Sequence, residues 1–254
     1  SYTSSDIIKL VSDVQLAQSV RLTLNGVKIY STSTGAEKKI EVYNGHLDIS
    51  DSKLRNIGIG FERMNSSVRD KAGSIKIIGS NWIAGTLANA SGYAMYGSYE
   101  IKDNYFQDIS YGSGNQGAMY FWYPTNKFIF ERNSLINSGG ISLGYSISLD
   151  STTSGYLKDA PIIKNNFFAH KDESNSSYYP SGTNSNYIPA YIELWASYGD
   201  ISLFLNNNAF LNSNISGFVS VLDTADTIQS NADYFGITNT LDTASRYLDN
   251  ADNL

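Results

Sequence analysis

The chain has 254 residues, of which 41% are hydrophobic and 17% charged, with a formal net charge of −6. That balance argues against a nucleic-acid partner, which needs clustered Lys and Arg for phosphate contacts. With no cysteine, disulfides and thiolate metal sites are excluded, and no apolar run reaches the length of a membrane span.

In chain order, residues 1–19 read as an N-terminal cap. Ile7, Leu10, Val11 and Val14 follow Ser5 or Asp6 at helical spacing, which predicts a short capping helix over residues 6–17, with an additional strand as the alternative. The start at Ser1-Tyr2-Thr3 fits a processed product or a domain of a longer protein.

Residues 20–239 carry a recurring phrase: apolar, x, x, Asn, x, apolar. It reads Ile78-x-x-Asn81-x-Ile83, Ile101-x-x-Asn104-x-Phe106, Phe130-x-x-Asn133-x-Leu135, Ile163-x-x-Asn166-x-Phe168 and Leu205-x-x-Asn208-x-Phe210. Two earlier copies, Leu24-Val27-Ile29 and Ile49-Ser52-Leu54, replace the Asn. A last copy, Ile228 to Asn231, has Asp233 where the second apolar residue is expected. The anchors at 24, 49, 78, 101, 130, 163, 205 and 228 are 25, 29, 23, 29, 33, 42 and 23 residues apart. Such a period signals a repeat architecture, and the alternating runs at 20–24, 99–101 and 200–205, broken by Gly, Ser, Asn and Asp, signal strands and turns. Uneven steps with constant phrasing predict an all-β fold: a single-stranded right-handed parallel β-helix of about eight coils whose loops vary while its strands stack. A β-propeller would need about four strands per repeat, and about three are readable. Asn suits the bend because it tolerates the left-handed conformation and bonds its own backbone, and stacked amides are expected to form a ladder. Residues 240–254 are the C-terminal cap or tail, so 1–254 reads as one domain.

The phrases, with Asn231-Ala232-Asp233-Tyr234-Phe235-Gly236 and the acidic exit Leu248-Asp249-Asn250-Ala251-Asp252, resemble the pectate-lyase-like β-helix superfamily and the closing coils of bacterial surface β-helix proteins. The resemblance implies that ligands lie along the sheet preceding the Asn strand. Its strands read as residues 39–43, 59–63, 93–96, 119–123, 141–143, 191–195 and 218–221. If Ile40, Val42, Ile59, Phe61, Met119, Phe121, Ile192 and Leu194 point inward, the outward set is Glu41, Tyr43, Glu62, Tyr96, Tyr120, Trp122, Glu193 and Trp195. Flat rings beside carboxylates suit sugars, so Tyr96, Tyr120, Trp122, Glu193 and Trp195 are the predicted ligand-binding residues. Exposed Tyr columns also stabilise stacked strands, which is the plainer reading.

The expected function is therefore non-catalytic glycan binding by an extracellular or cell-surface module, part of an adhesin or matrix protein, with a polysaccharide or cell-surface glycan as partner. A polysaccharide lyase or glycoside hydrolase is the alternative, with Glu62, Arg63 and Glu41 as candidate catalytic residues. The clustered Asp with Arg or Lys of family lyases, the Asp pairs of the hydrolases and the Asp-Pro-His motif of the epimerases are not found. A structural rod or spike is the third class. No cofactor is expected. Asp223, Asp226, Asp242, Asp249 and Asp252 crowd the C-terminal end and leave calcium open, although they match no EF-hand or nonapeptide repeat. His46 and His170 have no evident catalytic partner and read as incidental.

Overall fold

The computed structural model describes residues 6–11, 20–31, 38–43, 45–61, 73–85, 97–109, 119–122, 124, 127–136, 138, 141–145, 157, 159–169, 192–197, 202–211, 219–221 and 227–235. Among them the fold is all-β, with parallel sheets and no helix. Strands are numbered in chain order. One eight-stranded sheet runs β2 (Arg21–Asn25), β5 (His46–Ser50), β8 (Ser74–Ile78), β10 (Ser98–Lys102), β13 (Phe128–Glu131), β16 (Ile162–Lys164), β19 (Ser202–Asn206) and β22 (Thr227–Asn231). A second runs β3 (Lys28–Tyr30), β6 (Lys53–Arg55), β9 (Asn81–Gly85), β11 (Tyr105–Ile109), β14 (Ser134–Ile136), β17 (Phe167–Ala169), β20 (Ala209–Leu211) and β23 (Tyr234–Phe235). A three-stranded sheet joins β1 (Asp6–Val11), β4 (Lys38–Tyr43) and β7 (Ile57–Phe61). A four-stranded sheet joins β12 (Met119–Trp122), β15 (Ile141–Tyr145), β18 (Ile192–Ser197) and β21 (Val219–Val221).

The predicted capping helix is corrected by β1. Residues 6–11 form a strand that pairs in parallel with β4, Ile8 opposite Ile40 and Leu10 opposite Val42. The apolar spacing that suggests a helix also supplies a β-rich edge segment, and pairing to a neighbouring strand overrides local propensity. Residues 12–17 of the predicted helix lie outside the described residues.

Alternation fills the core. Leu47, Ile49, Ile75, Ile77, Tyr99, Ile101, Phe128, Phe130 and Ile163 are buried from the first eight-stranded sheet, and Leu54, Trp82, Phe106, Leu135, Phe168 and Phe210 from the second. Phe106, Leu135, Phe168 and Phe210 share one register column. Where Leu135 interrupts the rings, Phe130 of the facing sheet stacks between Phe106 (centroids 6.5 Å apart) and Phe168 (6.4 Å). Phe168 then stacks on Phe210 at 5.0 Å. Trp82 is fully buried because its Nε1–H donates to the Ile57 carbonyl at 2.9 Å. Tyr99 packs edge-on against Phe121 at 4.9 Å, and burial pushes its phenol well above the ordinary range. Each such ring contributes about 1.5–3 kcal/mol by leaving water.

Between the two eight-stranded sheets the chain turns eight times, each time through one residue of positive φ: Gly26, Asp51, Gly79, Asp103, Arg132, Asn165, Asn207 and Ala232. At every turn after the first, the next residue accepts the preceding repeat's backbone N–H through its side chain. Asn104 N–H donates to Asn133 Oδ1 (3.1 Å), Asn133 N–H to Asn166 Oδ1 (2.9 Å) and Asn166 N–H to Asn208 Oδ1 (3.0 Å). The amide groups also link to one another: Asn104 Nδ2 donates to Asn133 Oδ1, Asn133 Nδ2 to Asn166 Oδ1 and Asn166 Nδ2 to Asn208 Oδ1. Each Nδ2 makes a second bond back to a strand carbonyl, of Ile77, Ile101, Phe130 and Ile163 in turn. These buried amides are thereby satisfied, as buried polar groups must be.

Two details of the predicted phrase are corrected. The ladder residue does not itself adopt the left-handed turn; the residue before it does, and the ladder amide bonds neighbouring repeats rather than its own backbone. The register also slips at two copies. In the third repeat Ile77, Ser80 and Trp82 hold the positions, not Ile78, Asn81 and Ile83, since Ser80 N–H donates to Asn104 Oδ1 at 2.9 Å and Trp82 aligns with Phe106. In the last, Asp233 is the ladder residue and Phe235 the apolar one, aligned with Phe210. Asp233 Oδ1 accepts from both Asn208 N–H (2.6 Å) and Nδ2 (2.7 Å). At the other end Ser52 and Ser80 substitute hydroxyls: Ser52 N–H donates to Ser80 Oγ (3.1 Å), and Val27 N–H to Ser52 Oγ (3.2 Å).

Candidate functional site

The predicted site maps onto the three- and four-stranded sheets. In the four-stranded sheet, Met119, Phe121, Ile141, Leu143 and Ile192 are buried, as the alternation requires. The rows between them are set by register. Tyr120 is opposite Ser142, Ser142 opposite Glu193 and Glu193 opposite Ser220. Trp122 is opposite Gly144, and Gly144 opposite Ala196.

The sheet thus brings Tyr120 and Glu193 into one row, two strands apart, but does not align Trp122 with Trp195. A register shift between Leu143 and Gly144 pairs Leu143 with Leu194 and Gly144 with Ala196, so Trp195 is the unpaired residue of a bulge. A bulge is not visible in an alternation pattern, because the extra residue leaves the pattern intact on either side. Ser142 and Ser220 complete the Tyr120 row and escape a search for aromatic and acidic residues. The signal that finds them is the position directly after buried Met119 and its register counterparts Ile141, Ile192 and Val219. Tyr96, Glu62 and Arg63 lie outside the described residues.

Glu41 departs from expectation. Ile40, Val42 and Ile59 are buried as predicted, yet Glu41 is also buried, at 6% exposure, rather than presented to solvent. It is opposite Lys9 on one side and Gly60 on the other. Gly60 lacks the side chain that would exclude it: a Cβ there would lie 2.6 Å from both Glu41 carboxylate oxygens. The carboxylate therefore lies across the glycine backbone instead of standing out from the sheet.

Charge is organised on the first eight-stranded sheet and its bend. Arg21 pairs with Asp48. Glu100 accepts from Lys102 and Lys127, both at 2.8 Å. Asp103 binds Arg132 through two bonds of 2.6 and 2.9 Å, Arg132 also pairs with Glu131, and Lys164 lies 3.4 Å from Glu131. Partial burial alone would raise the Glu100 carboxyl, but the two lysines outweigh it and hold it down at about 2. The Arg132 hydrogen bonds lower Asp103, and Asp103 in return pushes the Arg132 guanidinium up. His46 bonds Ser74 Oγ at 2.7 Å and is lowered by burial and by Arg21, with Asp48 opposing. These groups satisfy one another, which is the signature of a structural network rather than a waiting site.

Among the described residues no group of His, Cys, Asp and Glu could hold a metal ion. The C-terminal aspartates proposed for calcium, Asp223, Asp226, Asp242, Asp249 and Asp252, lie outside those residues, as does His170. No helix among the described residues is long and apolar enough to cross a membrane. Comparison with protein-family models, with curated proteins and with solved structures finds no match to the chain.

Proposed function

We propose that the chain is a right-handed parallel β-helix module, extracellular or on a cell surface, that binds glycans without catalysis through the four-stranded sheet. The β-helix reading is supported by three regularities among the described residues: every strand pair is parallel, strand order in each sheet follows the chain, and a left-handed residue followed by a ladder residue recurs in every repeat after the first. The resemblance to pectate-lyase-like proteins rests on that same repeat and adds no further evidence.

The binding reading is carried by one observation: the Tyr120, Ser142, Glu193, Ser220 row lies beside the Trp122, Gly144, Ala196 row. A carboxylate and hydroxyls suit sugar hydroxyls, and a row that runs from Trp122 to Gly144 and then Ala196 combines one large ring, the residue type suited to a sugar face, with two residues of little bulk. Rigid parallel strands hold both rows at the strand spacing of about 4.8 Å.

The test is a glycan array probed with wild type, Trp122→Ala and Glu193→Gln. A glycan retained by wild type and lost by both variants is the expected result. Equal binding by all three, or by none, would overturn the proposed face. Glu41, buried against Gly60, gives no support to a catalytic reading of Glu41 with Glu62 and Arg63.

A further inference from the structure

The second eight-stranded sheet ends in a surface that the glycan reading does not use. Its edge strand β3 and the adjacent β6 are in parallel register, Lys28 opposite Lys53 and Tyr30 opposite Arg55. Lys28, Lys53 and Arg55 are exposed, and Tyr30 is 59% exposed, the largest value among the exposed large hydrophobic residues described. Stacked lysines are separated by about 4.8 Å, and successive residues on the same face of a strand by about 7 Å, so three cations and a ring share one small patch.

The neighbouring sheet shows what this chain does when stacked charge has only a structural role. There Asp48 faces Arg21, Glu100 lies between Lys102 and Lys127, and Glu131 lies between Arg132 and Lys164. On β3 and β6 the same stacking places like charges opposite each other, which is destabilising in a sheet. Among the described residues no carboxylate forms an ion pair with Lys28, Lys53 or Arg55. Lysine on an edge strand also discourages unwanted strand pairing. That explains Lys28 on β3 but not Lys53 and Arg55, because β6 is paired on both sides, with β3 and β9.

We infer that this patch binds an acidic polysaccharide, with Lys28, Lys53 and Arg55 contacting successive anionic groups and Tyr30 lying against a sugar ring. Arg55 suits a carboxylate or sulfate because its planar fork donates two hydrogen bonds at once, while the lysines act as point charges. A short row of three cations on a chain of net charge −6 favours a flexible acidic glycan over the dense phosphate array of a nucleic acid. The face is distinct from the four-stranded sheet, so the inference stands or falls independently of the reading above.

The test measures retention of the full chain on immobilised polygalacturonate, a sulfated glycosaminoglycan, a neutral glucan and single-stranded DNA. Expected are binding to one or both acidic polysaccharides and little to the glucan. That binding should weaken strongly at about 0.5 M salt, where the screening length falls to roughly 4 Å. Lys53→Glu with Arg55→Glu should weaken binding by at least about tenfold. The milder Lys53→Gln with Arg55→Gln should act in the same direction, with folding of both variants checked by circular dichroism. Lys76→Glu, which makes at an exposed lysine of the first eight-stranded sheet the same net charge change as the double Gln variant, should leave binding intact. Preservation of binding in the folded Gln variant, equal loss in Lys76→Glu, or tighter retention on DNA than on either polysaccharide would overturn the proposal.

Discussion

Replacing Asn133 by Ala removes the centre of the amide ladder. Asn133 Oδ1 accepts from Asn104 N–H (3.1 Å) and Nδ2 (3.0 Å), and its Nδ2 donates to Ile101 O (2.9 Å) and to Asn166 Oδ1 (3.2 Å). Alanine leaves the Asn104 backbone N–H without the acceptor shown for it, in a site where Asn104 is 3% exposed. A buried orphan donor costs about 1–3 kcal/mol, and each of the other bonds is worth about 0.5–1.5 kcal/mol net. The sum, reduced by relaxation, is about 3–5 kcal/mol, which places the substitution among the severe ones. Asn133→Ser should cost about half as much, because Ser52 and Ser80 show that a hydroxyl at this position still accepts the preceding repeat's N–H. Asn133→Asp should cost most, since a carboxylate cannot donate and would face two acceptors, Asn166 Oδ1 and Ile101 O. Urea unfolding followed by circular dichroism reads all three. An alanine variant within about 1 kcal/mol of wild type, or serine no better than alanine, would refute the ladder as a source of stability.

Four further outcomes follow from the structure. Glu100 is held at about 2 instead of its ordinary 4.5, so the unfolded chain binds its proton first. Its contribution is therefore full above about 4.5 and is lost as pH falls toward 2, and Glu100→Gln should flatten the stability–pH curve in that window. Gly26→Ala and Gly79→Ala should both destabilise, by about 1–2 kcal/mol for the left-handed backbone. Gly79→Ala should be the worse, because its Cβ would meet Asp51 Oδ1 at 2.9 Å, whereas a Cβ at Gly26 would meet nothing within 4 Å. Ala232→Gly should instead gain a few tenths to about 1 kcal/mol by relieving a φ of 55°. Gly60→Ala should cost only about 1 kcal/mol, by swinging the Glu41 carboxylate outward, and in a double-mutant cycle most of that cost should vanish in a Glu41→Ala background. A fully additive cycle would refute the Glu41–Gly60 contact.

The parallel all-β organisation was legible because the buried columns repeat in the sequence. Ile101, Phe106, Phe130, Leu135, Ile163, Phe168, Leu205 and Phe210 are all found where the phrase puts them. Register is lost where Asn alone marks the bend: the phrase selects Asn81 although Ser80 makes the ladder bond, and Asn231 although Asp233 does. A better criterion is an acceptor side chain preceded by a left-handed residue, which recognises Gly79-Ser80 but leaves Ala232-Asp233 difficult, since alanine is not marked for such a turn. The β1 strand was ambiguous because four apolar residues fit a helix until β4 offers its edge. On the candidate face, strand positions are legible, but the bulge at Trp195 is a matter of register with the neighbouring strand, and the burial of Glu41 depends on Gly60 opposite it.

The ladder also has a direction. From Asn104 to Asn208 every side-chain amide turns one N–H toward the later repeat and its C=O toward the earlier one, so these amide-to-amide bonds run head to tail and polarise one another. The positive end of that array meets the Asp233 carboxylate, much as an acidic residue meets the N-terminus of a helix. Repeats of any loop length can enter upstream of Asp233 without disturbing this match, as the separations of 24 to 42 residues between successive ladder positions illustrate. Extending the array beyond Asp233 would require giving up its terminal charge.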